Sequence, residues 1–255
     1  MTKKKTVPKL VRPIKFMIVS DIHGNEQDAG AVAAALKFST AFKPDIRVIA
    51  GDLWDFAAIR KGASEEDRSQ SMWTDFEAGK KFADDFYTES SANHLLLGNH
   101  DIRVWDMFDS TDGVKRDLAD VMIGDIKLLA RKHDAILYPY DSREGVLKIG
   151  HLKVVHGFHT GVSACALHAR IYGNVVFGHI HSIESYQVPG LDQREARSIG
   201  CLCKLNQKYI DRKTAKLRWS HGWAYGWLFS DGTYQINQAR SIDGNYYATR
   251  EITTY

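Results

Sequence analysis

The sequence lacks the features of membrane proteins and of disulfide-stabilised secreted domains. It contains no apolar run of about 18 residues, and the lysines at its N-terminus are not followed by the apolar segment of a signal peptide. Its three cysteines, Cys165, Cys201 and Cys203, are odd in number and have apolar or strand-like neighbours, which is typical of buried reduced thiols. These absences predict a soluble, cytoplasmic protein.

A strong excess of one charge is missing as well. Among the 255 residues, 34 Lys and Arg stand against 31 Asp and Glu, and the net charge of +3 is too small to indicate a nucleic-acid partner by itself. No internal repeat or low-complexity segment occurs, and a hydrophobic content of 44% can form one sizeable core. We therefore expect a basic arm over residues 1–13 and a single domain over 14–255, in which about 201–255 form a C-terminal extension ending in a β-hairpin.

Strand-like and helix-like patterns alternate along the chain. Short apolar runs predict buried strands at 14–19, 46–50, 94–97 and 174–177. Helical spacing of apolar residues predicts helices over about 26–38 and 113–132, and one long or two shorter helices over 64–91, with Trp73 in the core. The β-α-β order indicates parallel strands whose carboxyl ends share one edge of a sheet. Near the C-terminus, Asp231-Gly232 predicts a hairpin turn, because Gly supplies the positive φ that such a turn needs.

Residues that commonly bind metals follow the predicted strands at five places. They are Asp21 with His23, Asp52, Asn99 with His100 and Asp101, His156, and the pair His179 and His181. The last two histidines are separated by a single residue, so both side chains can face one pocket. Carboxylate, amide and imidazole donors without a thiolate suit Mn²⁺, Fe, Zn²⁺ or Ni²⁺. Such a set is too large for one ion, whereas two ions about 3.5–4 Å apart that share a carboxylate would use it well.

These five motifs, in this order, resemble those of the calcineurin-like metallophosphoesterases over residues 14–183. The resemblance implies a four-layer α/β/β/α sandwich of two mixed sheets. It implies two sets of metal ligands, with Asp52 bridging the ions: Asp21, His23, Asp52 and His181 in the first, and Asn99, His156 and His179 completing the second. It further implies that His100 is the catalytic histidine, which stabilises or protonates the leaving oxygen, and that Asp101 orients its ring.

The activity that the resemblance implies is hydrolysis of phosphate esters by attack of a metal-bound hydroxide. Two Mn²⁺ ions are the first expectation, with Fe, Zn²⁺, Ni²⁺ or Co²⁺ as alternatives. The protein-phosphatase signature Gly-Asp-x-Val-Asp-Arg-Gly is replaced here by Gly51-Asp52-Leu53-Trp54-Asp55-Phe56, which favours phosphodiesters of nucleotides or nucleic acid. A nonspecific phosphomonoesterase and an inactive metal-binding scaffold stay as alternatives, and the oligomeric state stays open.

Two further features concern the substrate. Asn99 and Arg103 are predicted to contact a substrate phosphate, although Arg103 could also be a surface residue of the following helix. Nearer the C-terminus a cationic tract runs into four aromatic residues: Lys204, Lys208, Arg212, Lys213, Lys216 and Arg218, then Trp219, Trp223, Tyr225 and Trp227. Such a tract is typical of single-stranded nucleic-acid binding, and the alternative is a solvated loop followed by a core hairpin.

Overall fold

The structure is a computed structural model and describes residues 12–206 and 217–250. The strands are β1 Ile14–Val19, β2 Ile46–Ala50, β3 Ala92–Leu96, β4 Ala135–Tyr138, β5 Leu147–Ile149, β6 Leu152–Val155, β7 Val175–Phe177, β8 Ile183–Val188, β9 Arg194–Ile199, β10 Gly222–Leu228, β11 Tyr234–Ile242 and β12 Asn245–Tyr247. The α-helices are α1 Ala29–Phe42, α2 Glu65–Arg68, α3 Met72–Phe86, α4 Arg103–Phe108, α5 Gly113–Lys132 and α6 Ala164–Tyr172.

The strands form two mixed sheets. The first has seven strands in the order β12-β11-β10-β1-β2-β3-β4, in which β1 to β4 run parallel and β10 to β12 add antiparallel pairs. The second has five strands in the order β5-β6-β7-β9-β8, with β6, β7 and β9 parallel. Parallel neighbours bring the carboxyl ends of their strands to one edge of each sheet.

Side-chain alternation along the strands sorts the apolar residues into separate cores. In β1, Phe16 and Ile18 face the second sheet, where they pack in a cluster with Val154 and Val176. Met17 and Val19 point the other way, into the cluster beneath α1, α3 and α5. A third cluster lies between the second sheet and α6. The layers are therefore helix, sheet, sheet, helix, which confirms the predicted α/β/β/α sandwich.

The C-terminal strands β10 to β12 belong to the first sheet. Strand β10 pairs with β1 from Ile14 to Ile18, and its hairpin partner β11 follows a turn in which Gly232 has a φ of 85°. The hairpin at Asp231-Gly232 is thus present, but its strands are central to the domain. Within the described residues, none of the helices combines the length and apolarity needed to cross a membrane.

The region from 64 to 91 forms two helices, α2 and α3, one of the two arrangements predicted. The prediction that Trp73 lies in the core is wrong, because its side chain is 58% exposed. Trp73 lies in the first turn of α3, where it borders a small surface groove with Leu128 of α5, whereas Phe76 of the same helix reaches the core. Helical spacing alone cannot tell which of two aromatic residues three positions apart reaches the core.

Candidate metal centre

Sharp turns at the strand ends direct the predicted ligands into one site. Asp21, His23, Asp52, His179 and His181 have φ values between 50° and 69°, a left-handed conformation that non-glycine residues seldom adopt. Such backbone strain is typical of functional sites, where the surrounding structure holds it in place.

Two glycines allow the ligand loops to approach closely. A Cβ on Gly98 would lie 2.1 Å from the carboxylate oxygen of Asp52, and one on Gly178 would lie 2.3 Å from a carboxylate oxygen of Asp21. Any larger residue would therefore displace a ligand. These contacts explain why a glycine precedes the ligand residues in both motifs.

The first group of donor atoms contains Asp21, His23, Asp52 and His181. His181 Nε2 lies 3.2 Å from Asp21 Oδ1 and 3.2 Å from His23 Nε2, which in turn is 3.9 Å from Asp52 Oδ2. Ligand atoms that bind one ion at 2.0–2.2 Å are about 3–3.5 Å apart, so this group has the spacing of a coordination shell. These residues are almost completely buried.

The second group contains Asp52, Asn99, His156 and His179. His156 Nε2 lies 3.2 Å from Asp52 Oδ2 and 3.0 Å from Asn99 Oδ1, and His179 Nδ1 lies 2.7 Å from the same Asn99 oxygen. The other oxygen of Asp52, Oδ1, accepts a hydrogen bond of 2.8 Å from the backbone N–H of His100. Oδ2 of Asp52 therefore lies between the two groups, as a bridging ligand would.

Outer contacts determine which ring nitrogen three of the histidines present to the site. Nδ1 of His23 lies 3.0 Å from Asp55 Oδ1, Nδ1 of His156 lies 2.9 Å from Ala50 O, and Nδ1 of His181 lies 3.7 Å from Cys203 Sγ. Hydrogen on Nδ1 leaves Nε2 as the ligand atom, the usual arrangement around protein-bound metals.

The charges of the site also fit divalent cations. Burial disfavours the charged form of His23, but Asp55, Asp52 and Asp21 outweigh it and raise its pKa to about 10. Burial is likewise outweighed at His156, chiefly by Asp52, and its pKa rises to about 9. The buried carboxylates thus favour positive charge between them. Two divalent ions would supply this charge, and the histidines would then bind them in the unprotonated form.

His100 lies beside both groups, and its orientation comes from Asp55. His100 Nδ1 is 2.6 Å from Asp55 Oδ1, which leaves Nε2 3.9 Å from Asp52 Oδ2 and facing the cleft. Burial is the main cause that lowers the pKa of His100 below its usual value. Asp55 was not among the predicted site residues, although its place three residues after Asp52 was a readable signal.

The prediction that Asp101 orients His100 is wrong. The carboxylate of Asp101 is buried and accepts hydrogen bonds from the backbone N–H groups of Gly98 at 2.8 Å and Trp54 at 3.0 Å. It therefore holds the His100 loop against the Asp52 loop and has no part in directing the ring. Burial and the nearby Asp52 raise the pKa of Asp101 to about 7.

A second buried carboxylate, on α3, fixes the loop that carries Asp55. Asp75 accepts hydrogen bonds from the backbone N–H groups of Phe56 at 2.8 Å, Asp55 at 3.1 Å and Asn25 at 3.2 Å. Burial is the main cause that raises the pKa of Asp75 to about 6. Helix α3 thus connects the loop after β1 with the loop after β2, so it positions ligands that it does not itself carry.

Cys203 is another neighbour of the site that the motifs did not indicate. It follows His181 by 22 residues, and no motif spacing marks it as part of the site. A β-bridge between its backbone and that of Gln27 holds it in place. Burial raises the pKa of its thiol well above the usual value, so Sγ stays protonated. The three cysteines are free and buried, as predicted.

The cleft over the two groups has a volume of about 330 Å³. Asn99 lines this cleft, with Thr160 and Gly161 on one side and Arg218 and Trp219 on the other. Arg103 is half-buried nearby, and its Nη1 donates a hydrogen bond of 2.6 Å to the carbonyl oxygen of Asp55.

The aromatic part of the predicted nucleic-acid tract belongs to the core. Trp223, Tyr225 and Trp227 are at most 3% exposed, and their rings pack tilted or edge-on against Phe38 and Phe42 of α1. They cannot stack on bases, so this part of the prediction is wrong. Trp219 alone of the four lines the cleft, with its ring centroid 4.1 Å from that of His181. Lys208, Arg212, Lys213 and Lys216 lie outside the described residues.

Comparisons with solved structures give low similarity over most of the chain. Vacuolar protein sorting 29 from Cryptosporidium parvum has a TM-score of 0.43 at 13% identity, with 92% of this chain and 95% of that one covered. The phosphoesterase YfcE from E. coli has a TM-score of 0.39 at 16% identity, with 88% and 98% covered. TT1561 of Thermus thermophilus has a TM-score of 0.42 at 10% identity, with 89% and 99% covered.

The curated proteins contain no match to this sequence. The family model for calcineurin-like phosphoesterases, in contrast, matches residues 14–183. The match includes β1 to β7 and every ligand described above. The chain therefore belongs to the calcineurin-like phosphoesterases, a family of metal-dependent phosphoester hydrolases.

Proposed function

We propose that this protein is a phosphodiesterase that uses two divalent metal ions and acts on nucleotides or nucleic acid. The observation that carries the proposal is the completeness of both ligand groups around the shared oxygen of Asp52. When bound, two such ions activate a water molecule and offset the charge of the phosphate oxygens. Mn²⁺ is the first ion to test, because oxygen and imidazole donors make up both groups.

The remaining chemistry falls to His100. Its Nδ1 is held by Asp55, and its Nε2 faces the cleft that contains the ligand groups. In the imidazolium form, with Nδ1–H on Asp55, the ring can donate its Nε2 proton to the oxygen that leaves when the P–O bond breaks and the water oxygen bonds to phosphorus. A ring held by a buried carboxylate keeps this orientation throughout the reaction.

Two features favour a diester with a nucleoside over a simple monoester. Besides the ligand groups, the lining of the cleft includes Thr160 and Gly161 as well as Arg218 and Trp219. A diester needs room for two substituents on phosphorus. The indole of Trp219 offers a surface for base stacking, and Arg218 beside it adds a positive charge.

Hydrolysis of bis-p-nitrophenyl phosphate and p-nitrophenyl phosphate by the purified protein with Mn²⁺ tests this proposal. We expect turnover of both, with a higher kcat/KM for the diester. A higher kcat/KM for the monoester would favour the nonspecific phosphomonoesterase. Bound metal without turnover of either ester, with any of Mn²⁺, Fe²⁺, Zn²⁺, Ni²⁺ or Co²⁺, would favour the scaffold.

A further inference from the structure

A second cleft, of about 890 Å³, adjoins the metal centre. Its lining includes Asn99, which also lines the cleft over the ligand groups, and Arg103, which follows His100 by three residues. One wall is the segment from Ala58 to Arg68, and the other is α4 with the start of α5. The two clefts therefore meet at Asn99, and the second continues from there along α4.

The lining of this second cleft is rich in positive charge. Five cationic side chains face two carboxylates, those of Asp106 and Asp109. The cations are Arg60, Lys61, Arg68, Arg103 and Lys115. This excess contrasts with the whole chain, whose net charge is only +3.

The charges are also arranged unevenly along the cleft. Arg103 is the first residue of α4, next to the metal centre, whereas Asp109 is the C-cap at the other end of this helix. Three of the cations have carboxylate partners: Arg60 pairs with Asp67, Lys115 Nζ lies 4.0 Å from Asp112, and Arg103 Nη1 lies 3.9 Å from Asp55 Oδ1. Lys61 and Arg68 have exposed side chains on the opposite wall. An anion would thus lie at the Arg103 end of the cleft, away from Asp109.

We propose that this cleft binds a second phosphate group, carried by the leaving group of the substrate. The proposal rests on the proposed function, and it narrows the substrate class to esters that have a further phosphate beside the scissile one. A phosphate group offers several oxygens and close to two negative charges, so it can use cations from both walls, and arginine binds it in a bidentate manner. Short oligonucleotides and nucleoside bisphosphates both have this chemistry.

Three dithymidylates test the proposal: one without a terminal phosphate, one with a 5′ phosphate and one with a 3′ phosphate. When the P–O3′ bond breaks, the leaving nucleoside is the one that can carry the 5′ phosphate. When the P–O5′ bond breaks, it is the one that can carry the 3′ phosphate. We expect one of them to have a kcat/KM about tenfold or more above that of the unphosphorylated form, the factor typical of one charged hydrogen bond.

The double variant Lys61→Gln/Arg68→Gln should bring this kcat/KM ratio close to one. The matched control Arg170→Gln, an exposed arginine of α6 that does not line the cleft, should keep the ratio of the wild type. A wild-type ratio near one would overturn the proposal, as would an unchanged ratio in the double variant.

Two measurements separate this proposal from the proposed function: turnover of a substrate without a second phosphate, and nucleotide binding. Without turnover of bis-p-nitrophenyl phosphate the proposed function fails. Calorimetry with thymidine 3′,5′-bisphosphate and thymidine 5′-monophosphate then decides the second proposal. Tighter binding of the bisphosphate that is lost in the double variant supports the cleft, and equal binding of the two nucleotides overturns it.

Discussion

Asp55 Oδ1 lies 2.6 Å from His100 Nδ1 and, in the same cluster, 3.0 Å from His23 Nδ1. One carboxylate thus holds both a proposed metal ligand and the histidine that we propose acts on the leaving group. Burial opposes the charged form of Asp55, but its contacts with His100 and His23 outweigh burial and lower its pKa far below the usual value. The carboxylate stays ionised and therefore accepts from both rings.

The variants Asp55→Ala and His100→Asn should separate the two roles of this carboxylate. We expect His100→Asn to lower kcat by about 10²–10⁴-fold while the bound metal per chain stays unchanged, because His100 is not a ligand. Asp55→Ala should lower kcat and also weaken metal binding about 10–100-fold, because His23 loses its outer partner. Metal analysis after dialysis and steady-state kinetics measure both effects.

The exposed Asp117 of α5 offers a control, since Asp117→Ala should change neither quantity. Loss of metal in His100→Asn would show that the role of His100 has been misassigned. Full activity of Asp55→Ala would show that the ring needs no carboxylate to hold it.

The contact of Cys203 with His181 predicts a defect confined to one ligand group. In Cys203→Ala the Nδ1–H of His181 loses its sulfur acceptor, so we expect weaker binding of one of the two ions by about tenfold or more. Titration of Co²⁺, followed by its visible absorption, would resolve the two affinities. Cys165→Ala, which alters a buried thiol in the core beneath α6, should leave both affinities at the wild-type level. Equal affinities in the wild type and Cys203→Ala would contradict this role.

Metal binding should release protons and strengthen as the pH rises. The pKa values of about 10 for His23 and about 9 for His156 mean that both rings are protonated at neutral pH in the protein without metal. A ring must lose its proton to bind an ion, so we expect about one proton released per ion at pH 7. Since both pKa values lie above 7, the apparent affinity should increase from pH 6 to pH 8. Calorimetry in buffers of different ionisation enthalpy measures the release, and a buffer-independent heat would contradict it.

The convergence of these loops can be predicted from the sequence because their order along the chain and their place after apolar strands are both local features. Asp21 and His181, which are 3.2 Å apart at their ligand atoms, are each readable from a short motif. Cys203 and Asp101 were not readable in this way. The contact of Cys203 with His181 depends on where the chain returns after β9. The carboxylate of Asp101 accepts a hydrogen bond from the backbone of a loop more than 40 residues away in the sequence.

The aromatic residues of β10 show the same limit. Basic residues followed by Trp and Tyr describe a nucleic-acid surface and a buried strand equally well. The pairing of β10 with β1 decides between them, because it buries Trp223 and Tyr225 against α1. That pairing joins segments about 200 residues apart, and no local pattern encodes it.

A titration of the metal-free protein with Mn²⁺, in which bound metal and turnover of bis-p-nitrophenyl phosphate are followed together, tests the central claim most directly. We expect activity to rise until two ions are bound per chain, and Asp52→Ala, which removes the shared oxygen, to bind neither ion tightly and to have no turnover. Saturation at one ion per chain, or a fully active Asp52→Ala variant, would contradict the account of two ions that share Asp52.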